Sequence, residues 1–316
     1  MTTAPSSTGW TWVRRLAVVV ALVALGVALV ETWDRSRGVP LASSPRLALA
    51  GLSLAAALLV AGRAWCDLVE QRPRRVLAGF LVAQLGKYVP GGVWQAVGQV
   101  EAAAQDGVAR SRAAMAFLVM MVVQVVAGLV VAAPLAAIAE APAWSRIVAG
   151  VAPLALVLLH RAWLLRIVRL LARWRRLAHL GSETVPSQRS ILVATARMLA
   201  VFVLLGLALQ LALPVAFDPA ATVGLVAAHA LAWVGGFLVV PLPAGLGARE
   251  GVLVLAAGWH ADTGALLAAS LLVRLLQIVT EGVLATGTRI MWRRPVERRG
   301  AGPDAGDGSQ GMRDRQ

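Results

Sequence analysis

The stretch Val76 to Ala104 is apolar at both ends and broken in its middle by Gly86-Lys87-Tyr88-Val89-Pro90-Gly91-Gly92. A second stretch, Ala220 to His260, is built the same way around Pro241-Leu242-Pro243-Ala244-Gly245-Leu246-Gly247. Proline removes a backbone donor and glycine tolerates angles that other residues avoid, so each break strands peptide groups without helical partners. In hydrocarbon such backbone survives only inside protein or beside a water-filled cavity. Each stretch therefore reads as a helix–break–helix hairpin.

The composition supplies the hydrocarbon. Of 316 residues, 59% are hydrophobic and 15% charged, and the mean hydropathy is +0.73. Soluble domains carry roughly 25% charged residues. Soluble and disordered classes are excluded, and an all-α polytopic membrane protein remains. Lone spans are expected at Leu16–Val30, Leu47–Gly62, Ala113–Ile138 (with Pro134 near its end), Ile147–Leu159, Ile191–Leu213 and within Ala265–Trp292. That makes about six full spans plus two broken or re-entrant hairpins. No small-residue cleavage site follows the first stretch, so it is read as an uncleaved span. The single cysteine, Cys66, rules out an intrachain disulfide and a multi-cysteine zinc site.

A net charge of +14 suggests nucleic acid until the positions are read. Arg14, Arg15, Arg63, Arg72, Arg74, Arg75, Arg110, Arg112, the arginines from Arg161 to Arg189 and those from Arg289 to Arg315 all fit one side of the membrane. The opposite loops hold Arg35, Arg37, Arg46 and Arg146. The positive-inside rule puts both termini in the cytoplasm of a multi-pass plasma-membrane protein. Arg161–Arg176 has two readings, an amphipathic helix on anionic lipid or a topology determinant. Residues 293–316 read as a disordered basic cytoplasmic tail.

The chain also repeats itself at an offset of 153 residues: Pro90, Gly92 and Gly98 fall on Pro243, Gly245 and Gly251, and Gln124 falls on Gln277. Repeat one covers about 47–138 and repeat two about 191–292. Three spans separate the hairpins, so the second must enter from the side opposite the first. The repeats are then inverted, an arrangement that places a site near the midplane of secondary transporters.

Charged residues at membrane depth each cost roughly 2.5–3.5 kcal/mol on insertion scales, so they should face protein, water or a headgroup. Lys87, the only lysine, and Tyr88, the only tyrosine, precede the first break. They read either as a headgroup contact or as an interfacial anchor. Arg249 and Glu250 follow the second break, where free N–H groups favour anions and an arginine adds a bidentate fork. Arg249 either contacts a headgroup or pairs with an acid to hold the hairpin. Arg274, Gln277 and Glu281 share one helix face, which makes them a polar track or an internal ion pair. Arg197 stands alone on its span. His229 reads as a packed histidine before a proton relay. Trp65, Trp144, Trp259 and Trp292 read as interface belts. The candidate binding set is Lys87, Tyr88, Pro90, Gly91, Gly92, Gln95, Pro243, Gly245, Gly247, Arg249, Glu250, Arg274, Gln277 and Glu281. No nucleotide-binding, zinc-protease or serine-hydrolase motif occurs, so no catalytic residue, cofactor or metal is expected.

The run Leu85-Gly86-Lys87-Tyr88-Val89-Pro90-Gly91-Gly92-Val93-Trp94-Gln95 with Gly98, together with Pro241 to Gly251, resembles the lysylphosphatidylglycerol synthase transmembrane-region family. The resemblance covers roughly residues 10–292, and Arg274 also fits a family position. It implies a flippase-like protein that moves an anionic, aminoacylated or glycosylated lipid between leaflets. One departure is visible: relatives often carry an acid near Met120-Met121, which here is apolar apart from Gln124. No soluble aminoacyl transferase region accompanies the spans, so lysyl transfer is not expected and the chain is not read as an enzyme. A non-transporting subunit that docks a cell-envelope glycosyltransferase is the alternative. An intramembrane enzyme acting on a headgroup is a third, for which clustered catalytic acids are missing. Membrane lipids are the expected partners, with a glycosyltransferase and a second copy of the chain also open and nucleic acid excluded.

Overall fold

In the computed structural model the described residues are 42–71, 74–88, 93–138, 141–171, 184–215, 217–238 and 247–291. The expected span at 16–30, the tail, and Pro90, Gly91, Gly92, Pro243 and Gly245 lie outside them. Among the described residues every regular element is helical: α1 (Ser44–Leu68), α2 (Arg74–Ala83), α3 (Trp94–Gln105), α4 (Arg110–Ala132), α5 (Ser145–Val157), α6 (Arg161–Leu171), α7 (Gln188–Ala212), α8 (Pro219–Leu238), α9 (Ala248–Ala257) and α10 (Thr263–Met291). A 3₁₀ turn at Gln84–Tyr88 extends α2, and another at Ala133–Ala137 closes α4, where Pro134 removes a donor.

Among the described residues five helices are long and apolar enough to cross a membrane: α1, α4 with its closing turn, α7, α8 and α10. The expected span at Ile147–Leu159 is corrected. Its helix α5 has 13 residues, about 20 Å at 1.5 Å per residue, and it is bent by 80° against α6; only the pair together makes a sixth candidate. In the second hairpin the first arm, α8, has 20 residues and is long enough to cross by itself.

Helices in lipid gain little from apolar burial against each other, so close approach through small residues does the packing. A Cβ added at Gly206 of α7 would stand 2.5 Å from the Val226 Cα of α8. Both hairpins close in the same way. In the first, a Cβ at Gly79 would meet Ala102 at 2.7 Å, one at Gly98 would meet Ala83 at 3.2 Å, and one at Gly86 would meet the Gln95 nitrogen at 2.8 Å. In the second, Gly236 approaches Arg249, Gly235 approaches Val252 and Gly224 approaches Trp259. The arms of each hairpin are therefore antiparallel, and each returns to the end where it entered.

Polar contacts define those ends. Glu70, just past α1, accepts from Arg112 at 2.8 Å, from the Ser187 N–H at 2.8 Å and from the Ser190 hydroxyl at 3.3 Å. Burial, the strongest influence on the Glu70 carboxyl, pushes it up. The Ser187 and Ser190 donors and Arg112 outweigh that and hold it below the ordinary value of 4.5. At the other end Arg46 donates to the carbonyls of Val215 and Gln210 at 2.9 and 3.1 Å, capping α7. The first hairpin opens from the Glu70 end and the second from the Arg46 end.

Candidate functional site

The two hairpin tips meet on α10. This helix has 29 residues (Thr263–Met291), about 43 Å at 1.5 Å per residue, and Gln277 is its midpoint. At the first tip the 3₁₀ turn carries Lys87 and Tyr88. The Lys87 ammonium donates to Glu281 Oε1. Gln277, one turn earlier on α10, donates to the same oxygen at 2.9 Å. Glu281 is 1% exposed, and among the described residues its Oε2 has no hydrogen-bond partner.

The second tip begins with Gly247, whose φ of 81° and ψ of −47° suit a residue without a Cβ. Its N–H donates to Glu250 Oε2 at 2.9 Å, the carboxylate half of a capping box. The other oxygen, Oε1, faces Arg274 Nη1 of α10 at 3.3 Å. Arg249 lies at the second position of α9, where first-turn N–H groups have no helical acceptor. Its Nη2 donates to His229 Nε2 of α8 at 2.8 Å. Guanidinium cannot accept, so His229 is the acceptor at Nε2; its neutral ring carries the proton on Nδ1, a buried atom with no partner. Tyr88 lies between the tips, in electrostatic contact with Glu281, Arg274 and Arg249.

Three cations, Lys87, Arg249 and Arg274, thus face two carboxylates, Glu250 and Glu281. The excess positive charge falls on Arg249, whose bond goes to a neutral imidazole. Beside this cluster is a cavity of about 170 Å³. One wall is polar, with Gln84, Lys87, Gln95, Gln124, Gln277, Thr280 and Glu281. Gln95 donates to Gln84 Oε1 at 3.1 Å. The other wall is apolar and aromatic: Phe202 meets Trp233 edge-on, and Trp233 stacks on Phe237, both at 5.3 Å.

The structure brings together Lys87, Tyr88, Gln95, Gly247, Arg249, Glu250, Arg274, Gln277 and Glu281 of the expected set. Arg274 and Glu281, three and four residues either side of Gln277, each meet a different hairpin. Arg197 is not alone: it donates to Asp67 of α1 at 2.6 Å. Glu101 belongs to the surface, bonded by Arg110. Trp65 is corrected from the interface to the core, at 1% exposure, because α1 packs that face on its neighbours. Gln84, Gln124 and Thr280 were missed as site residues; the only signal for them is polarity inside an apolar run. His229 is buried as expected and is also the Arg249 acceptor. The chain matches no protein-family model and no curated protein.

The chemistry this arrangement offers is recognition. A guanidinium whose hydrogen bond, among the described residues, goes to a neutral histidine, beside helix N–H groups, suits an anionic oxygen. Four glutamine amides, which both donate and accept, suit hydroxyl groups.

Proposed function

We propose that the protein is a membrane lipid translocase that moves an anionic lipid with a hydroxyl-bearing headgroup, glycerol or sugar, between leaflets. One observation carries this reading: the tips of two broken hairpins meet at mid-helix on α10, beside a cavity, with one cation in excess on Arg249. An excess cation favours an anionic over an aminoacylated headgroup, since the latter brings positive charge of its own. In this reading the hairpins, which open from opposite ends, are the paired broken helices of an inverted repeat, and the headgroup crosses between them while the acyl chains stay in lipid. The motif resemblance to the lysylphosphatidylglycerol synthase transmembrane region points the same way. The Arg-rich end then faces the cytoplasm of the plasma membrane.

The test is leaflet exchange of fluorescent phosphatidylglycerol in liposomes holding the purified chain, with fluorescent phosphatidylcholine as control. Exchange of phosphatidylglycerol at least tenfold above protein-free vesicles, and above phosphatidylcholine, is expected. Exchange no faster than in protein-free vesicles contradicts the reading and leaves the docking-subunit alternative.

A further inference from the structure

A second depression adjoins the cavity. It is a groove of about 500 Å³ between α4 and α5, with an almost wholly apolar lining: Val125 and Leu129 from α4, Val151 and Leu154 from α5. Met121 and Phe237 line both the groove and the cavity. The arrangement follows from helix periodicity. On α4, Met121 lies at the seam, Gln124 lines the cavity and Val125 lines the groove, so positions three and four residues on part to either side. On α8, Phe237 follows Trp233 by one turn and stands at the end of the aromatic wall, 37% exposed. A cavity with one polar wall and an almost wholly apolar groove thus share two lining residues.

We infer that the groove is the seat of an acyl chain belonging to the same lipid whose headgroup occupies the cavity, with Met121 and Phe237 as the portal where the glycerol backbone passes. This rests on the translocase reading. Continuity identifies the occupant: a lipid joins one polar end to apolar chains, and the Met121–Phe237 seam joins a cavity with a polar wall to an apolar groove. Anchoring of the head gives the chain a fixed place, which an ordinary boundary lipid lacks.

The test uses the full chain in phosphatidylglycerol vesicles containing phosphatidylglycerol with a photoreactive diazirine in its acyl chain, and maps adducts by mass spectrometry. Adducts are expected on residues 121–129 and 151–158. They should fall at least fivefold in Arg249→Ala, which loosens the head, and in Leu154→Trp, which fills the groove. Leu154 is 70% exposed, so that replacement leaves helix packing intact. Binding of sn-glycerol 3-phosphate, which has a head and no chain, should be lost in Arg249→Ala and unchanged in Leu154→Trp. Groove adducts that persist in Arg249→Ala would mark a boundary lipid and overturn the inference. A groove without adducts, filled by residues 16–30 or by a second copy, overturns it while glycerol phosphate binding leaves the translocase reading standing. Loss of both binding and exchange in the wild-type chain removes the translocase reading itself.

Discussion

The first hairpin, residues 74–105, brings a cation to α10, where Lys87 meets the Glu281 carboxylate. The second, residues 219–257, brings a carboxylate, and Glu250 meets Arg274 seven residues earlier on the same helix. Both tips are thereby tied to one helix through opposite charges. They differ in what remains. At the first tip Glu281 takes both the Lys87 and the Gln277 donors, so its cation is neutralised. At the second tip Arg249 is left with a neutral histidine. The first hairpin is thus tied by a paired charge, whereas the second carries a guanidinium hydrogen-bonded to a neutral ring, and on the proposed translocase reading that guanidinium is the one that meets a headgroup.

The largest effect should come from breaking the neutralised tip. Glu281→Ala leaves Lys87 without its carboxylate in a mostly buried site, and removing one partner of such a pair costs about 3–5 kcal/mol. The melting temperature in detergent should fall sharply, and lipid exchange with it. A melting temperature within a degree of wild type would mean that the first tip is not held this way.

The two glycine closures give a smaller and sharper comparison. A Cβ at Gly86 meets backbone atoms of Trp94 and Gln95 at 2.8 Å, whereas one at Gly236 meets the Arg249 Cβ at 3.0 Å. Neither backbone atoms nor a Cβ can rotate away, the contacts at Gly86 are the closer and more numerous below 3 Å, and overpacking of this kind costs about 1–3 kcal/mol. Gly86→Ala should therefore lower the melting temperature more than Gly236→Ala does. The reverse order would show that the second hairpin is the tighter one.

The smallest effect lies at the end where the first hairpin enters. The Glu70 carboxyl is held below its ordinary 4.5 in the folded chain, so its contribution is present above that pH and is lost as pH falls through the lower folded value. Glu70→Gln should melt slightly below wild type at pH 7, and the two curves should converge in acid. Curves that stay apart at low pH would remove Glu70 as the titrating clamp.

Those features that local chemistry controls were legible in the sequence. Pro and Gly mark both breaks, and spacing of three and four puts Arg274, Gln277 and Glu281 on one face. Pairing was not legible. Lys87 and Glu281 are 194 residues apart, and only the folded bundle selects that acid over Glu250. Uniformly apolar helices also hide which face is buried, and so Trp65 read as an interface residue while it lies in the core. The length of α8 was masked for a related reason: its apolar run continues to the break without a polar residue to mark where it has crossed. The bend between α5 and α6 was missed because His160 and Arg161 read as the end of a span rather than as a corner.

On the proposed reading Arg249 serves a ligand and Glu281 serves the fold. It is tested most directly by measuring phosphatidylglycerol exchange and thermal melting side by side in Arg249→Ala. Exchange should fall at least tenfold, about 1.4 kcal/mol, while the melting temperature falls less than in Glu281→Ala, because the loss orphans a neutral His229 nitrogen rather than a buried charge. Arg249→Lys should recover part of the exchange, keeping the charge without the fork. Wild-type exchange in Arg249→Ala, or a collapse of melting as deep as that of Glu281→Ala, would contradict it.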